Sequence, residues 1–300
     1  MTRPALICLI AVASAFLLLR EAIAQRDVNW DAVRVRTEHV AGTVHYVFGS
    51  GGNIAVSIGE DGIVMVDAQF APLTPKILAA IRALSSQPIR FLVTTHAHDD
   101  HIGGNANIAA VGAVILARDG ARARMITGFN QNGNDIAPLP AAGLPVVTFN
   151  DPLTLHLNGE EVRVIPTPPA HTDNDTYVYF TRSNVLHMGD VFRTNGYPGI
   201  DLGNGGTLQG TLDALQLALE IAGPGTKMLS GHGVVSTRED VRAFRDMILE
   251  VRARVSRLVA EGRTLEEVEA AKPTADLDAR WGPRLDRFLP AVYEALTSRR

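Results

Sequence analysis

Three histidines and two aspartates fall within six residues, His96-Ala97-His98-Asp99-Asp100-His101, directly after the apolar stretch Ile89–Val93. A short apolar run ending in such a cluster reads as a buried strand that delivers polar groups at its C-terminal end. Grouped imidazoles and carboxylates make a poor core, because each needs a partner once removed from water. They are the ligand types that zinc and related divalent metals prefer. His96 and His98 lie two apart in extended chain and so share a face, where both can meet one ion. Asp100 and His101 open the following turn and can meet a second.

The rest of the composition narrows what such a cluster can serve. With 46% apolar and 20% charged residues the chain belongs with globular proteins rather than disordered ones. A formal net charge of -4 and no run of Lys or Arg argue against a nucleic-acid partner. Residues 1–24 have the pattern of a signal peptide: Arg3, an apolar run over residues 5–19, then Ala22-Ile23-Ala24. The apolar run is about 15 residues against the roughly 20 that a membrane span requires, so cleavage rather than a stable anchor is expected. Periplasmic or secreted localisation follows. The single cysteine, Cys8, lies in that segment. The remainder thus has no disulfide, thiolate nucleophile or Cys ligand, and its chemistry falls to His, Asp, Ser or a metal.

Strand patterns over residues 44–48, 53–58 and 62–67 are separated by Gly-rich turns. A helix over 73–84, the strand 89–93, a helix over 106–111, a strand over 112–117 and a helix over 118–126 follow. Residues 127–143 predict a long surface loop of the kind that forms lids. A second strand set covers 146–149, 153–157, 161–166, 176–181 and 185–188. A Gly-rich loop over 195–210, a helix over 212–221, the strand 227–229 and a helix over 238–259 come next. Amphipathic helices over 265–271 and 284–298 close the chain. The pattern occurs twice, on either side of about residue 140, and predicts two packed sheets with helices outside, in one α/β domain.

The string His-x-His-x-Asp-His after a strand resembles the metal-binding signature of the metallo-β-lactamase superfamily. Further blocks of that family's pattern follow in order: Asp67 closing Gly-Ile-Val-Met-Val-Asp; His171 in Pro-Pro-Ala-His-Thr-Asp; Asp190 in Leu-His-Met-Gly-Asp; His232 in Leu-Ser-Gly-His-Gly. The resemblance covers roughly residues 40–235. It implies a four-layer αβ/βα sandwich with its core in 25–235, and C-terminal helices, 236–300, continuing the same domain. It also implies a two-metal site: His96, His98 and His171 on the first ion, Asp100, His101 and His232 on the second, Asp190 bridging. Asp67 would orient a ligand or its backbone from behind. Two zinc ions suit this sulfur-free set, with iron or manganese also compatible. Two ions about 3.5–4 Å apart can hold a bridging hydroxide that attacks a carbonyl carbon, with Asp100 orienting it and shuttling a proton.

His39, His45, His156 and His187 read as ordinary residues of strands or their flanks, Asp99 as solvated, and Asp173 and Asp175 as supports of the His171 loop. Classical zinc β-lactamases have Cys or Ser where this chain has Asp190, whereas glyoxalase II, lactonases and phosphotriesterase-like members have Asp. Secretion speaks for a β-lactam and against the cytosolic glyoxalase II. The expected substrate is a small molecule with a β-lactam or lactone bond. A thioesterase or phosphotriester hydrolase is the alternative on the same site, and an iron-dependent persulfide dioxygenase or a non-catalytic periplasmic metal binder lies outside that class. Substrate contacts are expected from the loops 127–143 and 192–210, with Arg193 and Asp201 in the second. Tyr197 or Asn204 would donate to a substrate oxygen. The C-terminal helices either cover the site or form an oligomer interface.

Overall fold

Residues 36–66, punctuated by Gly-containing turns, fold into four antiparallel strands in the computed structural model, which describes residues 28–282 and 285–298. Residues 1–24, read above as a signal peptide, lie outside that description. The chain divides into two units, residues 1–34 and 35–300. The described part of the first holds one 3-10 turn, Trp30–Ala32, capped by the Asn29 side chain.

The first sheet of the second unit takes β1 (Arg36–Ala41), β2 (Val44–Phe48), β3 (Ile54–Gly59), β4 (Gly62–Val66), β5 (Ile89–Val93) and β6 (Val114–Arg118). A hairpin of β7 (Phe129–Gln131) and β8 (Asn134–Ile136) stands apart, and β9 (Val147–Phe149) completes the sheet in the order β1-β2-β3-β4-β5-β6-β9. Pairing is antiparallel as far as β4 and parallel from β4 to β9. The second sheet runs β10 (Leu153–Leu157), β11 (Glu160–Pro166), β12 (Thr176–Phe180), β13 (Val185–His187) and β14 (Lys227–Leu229), with only β13 and β14 parallel. Strand β1 was not foreseen; its outward residues are solvated and leave little apolar alternation. The foreseen loop 127–143 instead contains the β7–β8 hairpin. Its Asn132-Gly133 turn has φ values of 55° and 86°, the left-handed pair that a two-residue hairpin turn demands.

Helices α1 (Thr74–Leu84), α2 (Asp99–Ile102), α3 (Asn105–Ala110) and α4 (Asp119–Thr127) accompany the first sheet, and α5 (Leu208–Ile221), α6 (Arg238–Ala260), α7 (Leu265–Ala270), α8 (Asp278–Trp281) and α9 (Leu285–Thr297) the second. Between the sheets, Val44, Tyr46, Val64 and Val93 meet Val162, Val164, Phe180 and Leu229. On the far face of the second sheet Tyr177, Leu186 and Met228 pack with residues of α5, α6 and α9. Helix α6 starts at a capping box, Thr237 with Asp240, and buries Val241, Phe244, Ile248, Val251, Val255 and Val259 along one stripe. Full burial of a side chain such as Phe180 or Phe244 favours folding by about 1.5–3 kcal/mol. The result is helix, sheet, sheet, helix, with the C-terminal helices behind the second sheet. Among the described residues no helix is long and apolar enough to cross a membrane.

Strands β4 and β5 run parallel, as do β13 and β14, and β11 points the same way as β13 because two antiparallel pairings separate them. The loops carrying Asp67, His96–His101, His171, Asp190 and His232 therefore all leave C-terminal strand ends.

Candidate metal centre

Asp67 follows β4 with φ 65°, a left-handed conformation that costs a non-glycine residue about 1–2 kcal/mol. Its carboxylate is the anchor that offsets this. Oδ1 accepts the backbone N–H of Thr95 at 2.8 Å, and Oδ2 accepts Thr95 Oγ1–H at 2.7 Å and His101 Nδ1–H at 2.7 Å. With its proton on Asp67, the Thr95 hydroxyl can only accept from His96 Nδ1, 3.0 Å away. His96 Nε2 is thereby left as a bare lone pair, buried and without a hydrogen-bond partner; His101 Nε2 and Asp190 Oδ1, also buried, make no hydrogen bond and face each other at 3.3 Å.

The same logic applies on the other side. His98 Nε2–H donates to Asp201 Oδ2 at 2.9 Å, and His171 Nδ1–H donates to the carbonyl of Gly199. Their remaining nitrogens, His98 Nδ1 and His171 Nε2, face each other at 3.0 Å. As neutral imidazoles both present lone pairs there, an arrangement that is repulsive unless a cation or proton sits between them. Three groups of ligand atoms, each within 4.8 Å of one another, can hold an ion: His96, His98 and His171; His96, His101 and Asp190; Asp100, His101 and His232. His96 and His101 connect the groups, and Asp190 Oδ2 lies 3.2 Å from His232 Nε2 and 3.8 Å from His171 Nε2. The donor set fits divalent metal ions, and the converging lone pairs are the structural reason.

Electrostatics divide the cluster. Burial, then the imidazoles of His101 and His98, pushes His96 well below the ordinary histidine value. Burial and His98 push His171 down to about 3. Burial disfavours a charge on His101 too, but Asp67, Asp190 and Asp100 outweigh it and raise its pKa well above that value. His232 is raised in the same way, by Asp190 and Asp100 against its burial. Reciprocally, Asp100 and Asp190 stay ionised despite burial because His101 and His232 hold them down. The cluster opens at Asp100 and His232, each about 15% exposed.

Several neighbours complete the site. Gly52 and Gly231 lie flat against the His101 ring, and a Cβ on Gly231 would overlap Asp190 Oδ1. Arg193, fully buried, donates from Nη2 to Asp190 Oδ2 at 2.9 Å. Thr172 N–H and Oγ1–H both donate to Asp175 at 2.8 Å, and Asn174 Oδ1 accepts Ala97 N–H at 3.0 Å, so the His171 loop and the His96–His98 segment hold each other. Burial raises Asp175 to about 7. Asp173 pairs with Arg124. Phe129 of the hairpin lies nearly parallel to the His98 ring, centroids 6.3 Å apart, so the loop 127–143 does flank the site.

The expected substrate donors are elsewhere. Tyr197 is fully buried, stacked on Phe288, and its hydroxyl donates to Asp278 at 2.8 Å, so it ties the loop to the C-terminal helices. Asn204 is equally committed: Nδ2 donates to Asp201 Oδ2 at 2.8 Å and to the Asn130 carbonyl at 2.7 Å, and Oδ1 accepts from Arg124 at 2.9 Å. Both are internal braces, not substrate contacts. Asp99 is half-buried rather than solvated, and burial raises its pKa. His187 donates to the Asn53 carbonyl at 3.2 Å and accepts from Gly189 N–H, so it is structural. His39 and His45 form a cross-strand ring pair, and His156 is exposed on β10. Sequence reasoning missed Asp201 as the partner of His98 and Thr95 as the partner of His96. A hydrogen bond between residues 103 positions apart leaves no spacing to read.

Comparison with known proteins agrees with this geometry. The sequence profile described as the Metallo-beta-lactamase superfamily matches residues 48–234. The hydroxyacylglutathione hydrolase of Acidiphilium cryptum (strain JF-5) is 34% identical over 159 residues, 51% of this chain and 55% of that protein. The 2,4-dinitroanisole O-demethylase subunit alpha of Nocardioides sp. (strain JS1661) is 29% identical over 140 residues, 45% of this chain and 40% of the relative. The chain thus spans about half the length of the curated relatives it matches. The solved sec-alkylsulfatase Pisa1 from Pseudomonas sp. superposes with a TM-score of 0.67 at 19% identity, over 88% of this chain and 50% of that one. A metallo-beta-lactamase from Pontibacter korlensis gives 0.59 at 19% identity, over 72% of this chain and 99% of that one. At such identities these two structures bear on the fold alone.

Proposed function

The chain belongs to the metallo-β-lactamase superfamily, and from that membership we propose that it is a two-zinc hydrolase of small molecules that opens a lactone or lactam bond. The observation that carries the reading is the pair of facing lone pairs, His98 Nδ1 and His171 Nε2, together with the partnerless His96 Nε2, His101 Nε2 and Asp190 Oδ1. His96, His98 and His171 would hold one ion, Asp100, His101 and His232 the other, with Asp190 between. Zinc is favoured by an all-nitrogen-and-oxygen set of this size. When bound, such ions supply Lewis acidity, which polarises a carbonyl and brings the deprotonation of water into the neutral range.

The chain's own residues do the rest. Asp201, the Gly199 carbonyl, Thr95 and Asp67 fix which nitrogen of each histidine carries the proton, so every free lone pair points inward. Asp100 stands at the open side with Oδ2 toward His232 at 3.0 Å, where it can orient a water and accept its proton. Phe129 beside His98 and the exposed Val234, two residues past His232, give the opening an apolar border. Arg193 donates from Nη2 to Asp190 Oδ2, while its buried Nε and Nη1 have no hydrogen-bond partner. The apolar border supports an uncharged cyclic ester or amide over a glutathione thioester. The signal-like residues 1–24 support a periplasmic or secreted location, which cell fractionation of the full chain tests.

The functional test is zinc loading followed by hydrolysis of a chromogenic cephalosporin, a γ-lactone, an aryl ester and an acyl-glutathione thioester, with His98→Ala as control. Turnover of the lactone or lactam that vanishes in the control supports the reading. Turnover of the thioester alone replaces it with a thioesterase. Two bound metals with no turnover of any of the four overturns it.

A further inference from the structure

The β7–β8 hairpin belongs to neither sheet, yet it reaches both halves of the ligand cluster. From its first strand, Gln131 Oε1 accepts the backbone N–H of Asp99 at 2.9 Å, and Gln131 Nε2 donates to Asp100 Oδ1 at 3.2 Å. The backbone bond fixes which end of the amide faces the carboxylate. Asp100 Oδ1 is thus restrained from one side while Oδ2 remains turned to His232 Nε2 at 3.0 Å. One residue earlier, the Asn130 carbonyl accepts from Asn204 Nδ2, which also donates to Asp201 Oδ2, the oxygen that receives the His98 proton. The arm is itself structured: Asn130 Oδ1 accepts Gly133 N–H at 2.9 Å across the left-handed turn.

We infer that Gln131 is a positioning residue for Asp100, holding that carboxylate in the orientation the second metal position needs. The inference rests on the two-metal reading above. A carboxylate on a partly exposed side chain has torsional freedom that must be lost on coordination, and a donor that restrains it beforehand lowers that loss. Gln131 does this from outside the Asp99–Ile102 helix that carries the ligand, so affinity at Asp100 depends on a hairpin residue 31 positions downstream.

The test is a cobalt(II) titration at neutral pH of the full protein, Gln131→Leu and Asp135→Ala, read by d–d absorption and by metal content after dialysis. In Gln131→Leu the first equivalent should bind as before with an unchanged band, which shows that the fold is intact. The second should weaken about 10-fold or more, with an altered band. Asp135→Ala should leave both equivalents in place, because it removes an exposed bond within the same hairpin, to Asn130, without touching Asp100 or His98. A second equivalent that keeps its affinity and band in Gln131→Leu overturns the inference, as does equal weakening of both equivalents, the mark of a generally loosened hairpin. An unsubstituted protein that takes up a single equivalent overturns the two-metal reading itself, and is recognised before any variant is examined.

Discussion

His96 and His101 lie with ring centroids 4.2 Å apart and planes tilted by 52°, yet they belong to halves of the cluster prepared in opposite ways. On the His96, His98 and His171 side, His96 and His171 are held neutral by burial and by neighbouring imidazoles. On the Asp100, His101 and His232 side, carboxylates favour the protonated imidazoles in spite of burial: Asp67, Asp190 and Asp100 for His101, Asp190 and Asp100 for His232. The first half presents lone pairs and little competing charge. The second presents carboxylates whose cations, for now, are protons on histidine. A metal entering the first half displaces almost nothing; one entering the second must expel protons.

The largest effect expected is on turnover. Asp100→Asn removes the proton acceptor at the open side and should lower turnover by about 10²- to 10⁴-fold while the first metal stays bound, read by kcat and metal content together. Unchanged turnover would remove Asp100 from the chemistry.

Next in size are the outer partners. Asp201→Asn should weaken the first equivalent by about 10- to 100-fold in a metal titration. Asp67→Asn should weaken the second equivalent more than the first, because Asp67 bonds His101 directly and reaches His96 only through Thr95. Loss of the same equivalent in both variants would break the comparison. The pH dependence sharpens it further. His101 and His232 titrate above the ordinary value of 6.5, so second-site affinity should climb steadily with rising pH. His96 and His171 titrate below 6.5 and are already neutral, so first-site affinity should stay nearly flat between about pH 5 and 8. Titrations at three pH values, monitored by calorimetry in buffers of different ionisation enthalpy, count the protons released at each step.

Two smaller effects concern packing. Gly231→Ala drives a methyl group into Asp190 and the His101 ring and should destabilise the protein by about 1–3 kcal/mol, seen as a lower Tm. Tyr197→Phe deletes the hydroxyl bond to Asp278 and should cost about 1 kcal/mol of stability, with KM unchanged for any substrate. A raised KM would return Tyr197 to the substrate site.

The blocks around Asp67, His96–His101, His171, Asp190 and His232 were legible because ligand chemistry limits the residue types and each block follows an apolar strand. The paired strand-and-helix pattern was legible for the same reason of periodicity. What escaped was held by long-range bonds or by context. Strand β1, solvated along its outer face, carries no clear apolar alternation. Thr95 and Asp201 are ordinary polar residues until the fold sets them against His96 and His98. Tyr197 and Asn204 sit in a Gly-rich stretch that looks like surface, yet both are buried by elements far along the chain. A lone polar side chain in a loop does not say whether its partner is a substrate or a distant helix.

The ligand segments are strung from residue 96 to residue 232 and draw on both sheets. No fragment that has formed only one sheet offers the full set, so an ion bound at all these groups selects the completed native state over every partly folded one. Free metal then acts as a thermodynamic weight on folding, stabilising by RT ln(1 + [metal]/Kd), about 2.7 kcal/mol at a hundredfold excess over Kd. Scarcity of the ion would lower the melting temperature and lengthen the time the two sheets spend apart, so metal supply would govern how long the chain survives proteolysis.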